Sequence, residues 1–459
     1  MHQPKCARRS NTAEQVPFID AGRADHGVIV KPEPRLPACD RQTVPGAMSQ
    51  RSCAYYGARW FLAQLKQVLH LVHGPVSCAY YGETVRKKRY TVFSTDLTEN
   101  EVIFGGEAKL LRVLRELAVH FPENRAILVY VTCAPGIIGD DVDRVCRRAE
   151  RDTGMRCVPV HCPGFLGYHQ AAGHEAGARV FLEHFIGHDA PAEPGPRDIN
   201  LLGEFDVMGD YRVIRGMLRR MGVNVVNAVT ADASVESLAR AHRVQLNLIH
   251  CRRTGGLLAE EMESRYGIEY RKGSFFGLTE TSTTLRRLGD WLDCRAEAEA
   301  LIAEGEAMVA GDLERYRREL AGKRVGLFFG GSRIGSMLKG YRDLGLEVVA
   351  AGSQFGCGND YREAWTGLNP GAALVDDTNE EEFVQFIRQY RPDVIAGGTR
   401  EKWLAHKFGI PFTVFPQESG PYAGYSGFLN FARDILAALK APVWRIVRGG
   451  SNTHAPFTA

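Results

Sequence analysis

Unbroken apolar runs constrain this chain more than any other feature. They lie at residues 126–131, 200–202, 223–229, 245–249, 325–329, 347–351, 393–396 and 411–415, typically closed by Gly, Cys or Pro and followed by a helical stretch. A strand that is apolar along its whole length must be covered on both faces, which is the condition of a parallel sheet flanked by helices. The intervening segments have helical spacing: in residues 107–121, Leu110, Leu111, Leu114, Leu117 and Ala118 fall on one face, and residues 295–320 form a long charged helix. Strand and helix in regular alternation predict an α/β fold.

A chain of 459 residues is long enough for about two to four such units. The Pro-rich segment at 188–196 and the end of the charged helix near Lys323 divide it into units at 49–196, 197–320 and 321–459. Residues 1–48 hold Pro4, Pro17, Pro32, Pro34, Pro37 and Pro45 without periodicity, and are expected to form an irregular extension that wraps a surface or stays mobile. With 57 Lys and Arg against 54 Asp and Glu, charge points to neither nucleic acid nor a membrane surface as partner. No apolar run approaches the roughly 18 residues of a spanning helix, and the first residues carry no apolar export segment, so a cytoplasmic protein is expected. Its 11 cysteines should then be reduced, free for metal ligation, redox chemistry or packing.

In parallel α/β units ligands gather beyond the carboxyl ends of strands. Cys133 follows one apolar run, Cys251 another, and Gly330-Gly331-Ser332-Arg333 a third; Cys78 follows the turn His73-Gly-Pro75, and Cys53 opens the first unit. No C-x-x-C pair occurs, which argues against a zinc ribbon. Isolated thiolates on separate loops suit an iron-sulfur cluster, since inorganic sulfide completes each iron; buried packing is the more frequent explanation of any single cysteine.

Taken in order, Cys53-Ala-Tyr-Tyr-Gly57, His70-Leu-Val-His-Gly-Pro-Val-Ser-Cys78, the segment from Phe93 to Glu107, Thr132-Cys133-Ala-Pro-Gly, Leu202-Gly-Glu-Phe205, Asn247-Leu-Ile-His-Cys251, Gly330-Gly-Ser-Arg333, Arg400-Glu-Lys402 and Ser419-Gly-Pro-Tyr-Ala-Gly-Tyr425 resemble the successive motifs of nitrogenase component 1 alpha-type chains. The resemblance covers nearly everything after residue 50. It implies three Rossmann-like domains around a buried metallocluster, and an eight-iron P-cluster shared with a homologous beta-type subunit in an α2β2 heterotetramer. Cys53, Cys78 and Cys133 match the alpha-chain ligands of that shared cluster, and Cys251 matches the cysteine that binds one end of the active-site cofactor. Electrons would come from a separate ATP-dependent 4Fe-4S reductase, in keeping with the lack of a Walker motif and of a G-x-G-x-x-G after any strand.

Three kinds of family member compete. Catalytic nitrogenase alpha chains have a second cofactor ligand, a histidine, shortly before Ser-Gly-Pro-Tyr; here residues 412–418 read Phe-Thr-Val-Phe-Pro-Gln-Glu and no His lies between His406 and His454. Arg400 replaces a lysine that contacts the organic acid, so a planar fork stands where the family has a compact ammonium. Cofactor-maturation scaffolds resemble this chain in the Cys-containing leader and in Pro421-Tyr-Ala-Gly-Tyr425, but usually lack the glutamine and histidine represented here by Gln170 and His174. A proton donor kept while the heterometal ligand is lost fits a nitrogenase-like reductase, best the catalytic D-type subunit of methylthio-alkane reductase, with an iron-only, L-cluster-like cofactor and a small volatile thioether as substrate. The scaffold and the dinitrogen-reducing alpha chain are the alternatives.

The resemblance also places Arg86, Gly330, Gly331, Arg333 and Phe355 at the cofactor, and Cys357 is the candidate replacement ligand. Lys87 and Lys88 read as surface charge, Cys146, Cys157, Cys162 and Cys294 as packing, His70 and His73 as structural, and Asp140 and Asp141 as caps of the following helix.

Overall fold

The computed structural model describes residues 16–39, 52–83, 92–165, 170–188, 193–330, 333–354, 356, 358–415, 419–444 and 446. They form two compact units, one of residues 46–207 and 223–272, the other of residues 1–45, 208–222 and 273–459.

The first unit holds two four-stranded sheets, each parallel throughout. One is ordered Phe93–Ser94, Val68–His73, Ala126–Val131, Arg156–His161. The other is ordered Tyr270–Lys272, Leu246–Ile249, Asp198–Leu202, Asn224–Val229. The apolar runs account for Ala126–Val131, Asp198–Leu202, Asn224–Val229 and Leu246–Ile249. Apart from the two-residue edge strand Phe93–Ser94, the others escape that reading for separate reasons. His70 and His73 interrupt Val68–His73, yet both imidazoles are buried, His70 against the Tyr130 hydroxyl at 2.8 Å and His73 against Thr95 and Asp140. Pro159 sits in Arg156–His161, an edge strand where its missing N–H costs no ladder bond. Tyr270–Lys272 is polar and also lies at an edge.

Three asparagines run across the second sheet. Asn227 Nδ2 donates to Asn200 Oδ1 at 3.2 Å, and Asn200 Nδ2 donates to Asn247 Oδ1 and to the Ala241 carbonyl, both at 2.8 Å. Pairing of this kind offsets the cost of burying the Asn200 amide, which both donates and accepts within the row. An apolar core continuous through this unit includes Phe61, Leu128, Phe181, Leu202, Ile249, Leu258 and Met262.

The second unit is built on a six-stranded sheet, ordered Gly27–Ile29, Ala373–Asp376, Glu347–Ser353, Arg324–Phe329, Val394–Gly397, Phe412–Val414, parallel except for the first strand. That first strand comes from the Pro-rich extension. Val16, Phe18 and Ile19 are buried beside Phe386 and Phe383, Arg23 is ion-paired with buried Glu382 at 2.6 Å, and His26 Nδ1 lies 3.1 Å from Asp376. Short apolar pairs among the prolines thus tie down residues 16–30 as a strap. The long charged helix runs Arg295–Leu320, as its spacing predicts.

In each sheet the chain order reverses beside a central strand, and at such a switch the loops diverge and leave a crevice. The reversals fall between Val68–His73 and Ala126–Val131, between Asp198–Leu202 and Leu246–Ile249, and at Arg324–Phe329 between its two neighbours. The residues that follow these strands are His73 to Cys78 and Cys133, Gly203-Glu204 and Cys251, and Gly330 to Arg333. No described helix is long and apolar enough to cross a membrane.

Candidate functional site

Cys53, Cys78 and Cys133 all belong to the first unit. Cys53 is the N-cap of helix Ala54–Leu62, its sulfur 3.5 Å from the Tyr56 N–H. Cys78 lies on helix Val76–Glu83 and Cys133 opens helix Cys133–Ile138, its sulfur accepting from Gly164 N at 3.3 Å. The two turns are pinned together: Thr132 Oγ1 donates to the His73 carbonyl at 2.9 Å, and a Cβ on Gly74 would meet that hydroxyl at 2.1 Å, so only glycine fits there. Burial raises the thiol pKa of both Cys53 and Cys78, and thiolate repulsion raises them further, from Cys133 on Cys53 and from Cys133 and Cys53 on Cys78. Half-buried thiols that repel one another as anions need a cationic partner to ionise together, which is what a metal cluster supplies. Among the described residues no three His, Cys, Asp or Glu side chains converge as for a single metal ion.

Cys162 adds to this picture. It is buried as a packing residue, donating to the carbonyls of Val160 at 3.3 Å and Val131 at 3.6 Å, but its pKa is pushed well up by burial and then by Cys53, Cys133 and Cys78, so it shares their neighbourhood. Cys146, Cys157 and Cys294 are buried. Exposed apolar side chains stand on these elements and on a neighbouring helix: Tyr80 on the Cys78 helix, Ile137 on the Cys133 helix, Phe165 beside Gly136, and Ile103 and Phe104, the last 80% exposed, at the end of helix Glu99–Phe104. Asp141 caps helix Val142–Thr153 as expected, whereas Asp140 accepts instead from Gly106 N at 3.0 Å and lies 3.0 Å from His73 Nε2, clamping the turn that follows that exposed helix.

The second cluster of candidates is in the same unit. Helix Gln170–His184 crosses helix Ala54–Leu62 at Gly57 and Gly173, and so the helix capped by Cys53 carries on its flank the helix that holds Gln170 and His174. Gln170 Nε2 is 3.4 Å from His174 Nε2; His174 Nδ1 is 3.3 Å from Thr254 Oγ1; Thr254 Oγ1 is 3.4 Å from Cys251 Sγ. His174, Thr254 and Cys251 are all buried, with the imidazole between Phe61 and Phe205. Cys251 precedes helix Arg252–Tyr266, which puts Thr254 in its first turn on the same side. Beside it, Gly203 has φ +85°, and a Cβ there would lie 2.8 Å from the Cys251 carbonyl; the next residue, Glu204, holds His250 Nδ1 at 2.6 Å in full burial.

In the other unit, Arg333 opens helix Arg333–Asp343 after Gly330 and is buried, its guanidinium 5.2 Å from the Phe276 ring and 5.9 Å from the Phe415 ring. Both rings lie within cation–π range of the planar guanidinium. Arg86, Gly331, Phe355, Cys357 and the side chain of Arg400 lie outside the described residues. Sequence reasoning passed over Thr254, although three residues past Cys251 in a helix is the spacing that would have found it, and it passed over Phe276 and Phe415, which nothing local distinguishes from core aromatics.

A family model described as nitrogenase component 1 type oxidoreductase matches residues 53–440. The nitrogenase iron-molybdenum cofactor biosynthesis protein NifE of Methanococcus maripaludis is 37% identical over 424 residues, covering 90% of this chain and 88% of that protein. The nitrogenase molybdenum-iron protein alpha chain of Methanothermobacter marburgensis is 35% identical over 439 residues, covering 91% and 93%. A solved nitrogenase structure, Cp1 at pH 5, aligns with a TM-score of 0.86 at 28% identity over 94% of this chain and 97% of that one.

Proposed function

The chain belongs to the nitrogenase component 1 type oxidoreductase family, and from that premise we propose that it is the alpha-type catalytic subunit of a nitrogenase-like reductase that cleaves carbon-sulfur bonds of small thioethers. The observation that carries this reading is the row Gln170, His174, Thr254, Cys251, in which a candidate proton donor and a candidate cofactor ligand are joined through one hydroxyl.

Cys53, Cys78 and Cys133 would hold an eight-iron P-cluster, and three thiolates leave such a cluster short of ligands. The apolar side chains about them, Tyr80, Ile103, Phe104, Ile137 and Phe165, support a beta-type partner subunit completing it, since an exposed patch of this kind marks an interaction surface. Cys251 would hold the buried iron-sulfur cofactor, which supplies low-potential electrons received from a separate ATP-dependent 4Fe-4S reductase. In the other unit Arg333, fixed between two rings, is a cation suited to an anionic group. Arg86, Gly330, Gly331, Phe355, Cys357 and Arg400 are its further candidate contacts.

The reaction takes a thioether, two electrons and two protons to methanethiol and a hydrocarbon. His174 holds a proton at an imidazole nitrogen inside an apolar cage, where little water competes for it, and Gln170 orients the ring. With no histidine between His406 and His454 a molybdenum end has no imidazole to bind it, which favours an iron-only cofactor and disfavours dinitrogen as substrate.

A second reading, a cofactor-maturation scaffold, is favoured by the identity to NifE proteins of Methanococcus maripaludis and Clostridium pasteurianum. One preparation decides between them. The anaerobically purified complex, given its reductase, ATP and a low-potential donor, should release methanethiol and alkane from a thioether. Transfer of its cluster to apo-nitrogenase without carbon-sulfur cleavage would establish the scaffold, and ammonia from dinitrogen would overturn both.

A further inference from the structure

We infer that His73 is a positioning residue that holds the helix bearing Cys133 at a fixed place against the turn leading to Cys78, an inference that rests on those two thiols being cluster ligands. His73 ends strand Val68–His73, and Cys78 lies on the helix that follows. The His73 carbonyl accepts from the Thr132 hydroxyl at 2.9 Å and from the Thr132 N–H at 3.3 Å, just before helix Cys133–Ile138. Its ring meets Asp140 at 3.0 Å, just after that helix. Asp140 is itself tied back to the helix, its N–H bonded to the Pro135 carbonyl at 3.2 Å. One residue thus grips the Cys133 helix at both ends, by backbone at one and by side chain at the other.

The side-chain grip is firm because each polar atom in its row has a partner. A carboxylate only accepts, so Nε2 carries the ring proton and donates to Asp140. Nδ1 is then bare and takes the Thr95 hydroxyl proton at 3.1 Å, rather than leaving it to the Val72 carbonyl at 3.5 Å; the Thr95 oxygen accepts in turn from the Gly74 N–H at 3.1 Å. At the far end Asp140 accepts from the Gly106 N–H at 3.0 Å. Burial holds the His73 pKa below its ordinary value, against the pull of Asp140 and Glu107, which keeps one ring nitrogen a donor and the other an acceptor. Gly106 has no room to shift: a Cβ there would lie 2.6 Å from Asp140 Oδ2 and 3.0 Å from His73 Cε1. A buried row satisfied throughout is rigid, and ligands drawn from separate elements must be held to within about 0.5 Å of their working geometry. Between Cys78 and Cys133 this row removes the slack.

The test uses the assembled, iron-loaded complex and reads the electron paramagnetic spectrum of the cluster, the rate at which iron is lost to bathophenanthroline, and stability in urea. Asp140→Leu and Thr95→Val break the row at its carboxylate and at its hydroxyl, so that one still reports if the other does not fold. Both should alter the spectrum and release iron about 10-fold faster, the lower end for loss of groups that support metal ligands. Asp140→Asn should restore both readings: its carbonyl oxygen still accepts from Gly106, its amide donates to Nε2, and the ring proton moves to Nδ1 as the Thr95 hydroxyl turns to the Val72 carbonyl. Thr95→Ser should restore them as well. Leu114→Ala, in the core of the same unit, should lower stability in urea yet keep the wild-type spectrum and iron release. Wild-type spectrum and release in Asp140→Leu and Thr95→Val, or an Asp140→Asn variant that behaves like Asp140→Leu, overturns the inference while leaving the functional reading intact. Wild-type iron in both Cys78→Ala and Cys133→Ala overturns the two together.

Discussion

At both Gly57 and Gly173 the backbone of the other helix fills the place a side chain would take. A Cβ on Gly57 would fall 2.0 Å from the Gln170 carbonyl oxygen, and one on Gly173 would fall 2.0 Å from that of Ala54. Neither neighbour is a flexible side chain that could swing away; both are backbone. The contact fixes the spacing of two helices, one beginning at Cys53 and the other bearing Gln170 and His174.

Alanine at either glycine should therefore push the helices apart, with a loss of about 3 kcal/mol or more in urea denaturation. Because the same contact sets both candidate centres, iron content and His174-dependent turnover should fall together. Gly311 in helix Arg295–Leu320, where a Cβ meets nothing within 4 Å, is the control: Gly311→Ala should leave iron unchanged and add about 0.5–1 kcal/mol.

Removal of any one of Cys53, Cys78 or Cys133 as Ala should lower iron content and alter the cluster's electron paramagnetic spectrum. Cys146→Ala, at a buried thiol of another core, should do neither. Wild-type iron in all three single variants would remove these residues from the site.

Cys251→Ala should abolish cofactor retention. His174→Gln should retain iron and lower turnover by about 10²–10⁴-fold, the range for loss of a general acid. Full turnover in both would end the assignment of this row.

Burial, and next the nearby Arg59 cation, hold the His70 pKa well below its ordinary value. A base depressed in this way stabilises the fold above its unfolded pKa of about 6.5, and the contribution drains away as pH falls toward the depressed folded value. Chemical denaturation of the chain should weaken below pH 6.5 by up to about 1.4 kcal/mol per pH unit from this group. His70→Asn should flatten that part of the profile; an unaltered slope would exclude His70 as its source.

The strands legible in the sequence are those in which apolar residues predominate on both faces; Val68–His73, which was not, is interrupted by groups whose cost tertiary partners remove, as Tyr130 does for His70. Cys133 and Cys251 were legible as candidate site residues because a parallel strand delivers whatever follows it to the crevice. Thr254 was not, since its meaning depends on His174, a residue 80 positions away. The strap failed to show because Val16, Phe18 and Ile19 are too few to make a period; only the sheet they reach gives them a role.

That strap also imposes a timetable. Gly27 pairs with Val375, and the Asp20 N–H binds Glu382 across 362 residues of chain. At about 5–20 residues per second of synthesis, this segment waits on the order of 20–70 s for its partner strand to exist. Val16, Phe18 and Ile19 spend that interval uncovered, an adhesive stretch of nascent polypeptide, while the strands between Val68 and His161 already have one another to close upon. The edge of the six-stranded sheet is thus among the last parts of the molecule to be sealed, and the moment of greatest aggregation hazard falls before it, during translation.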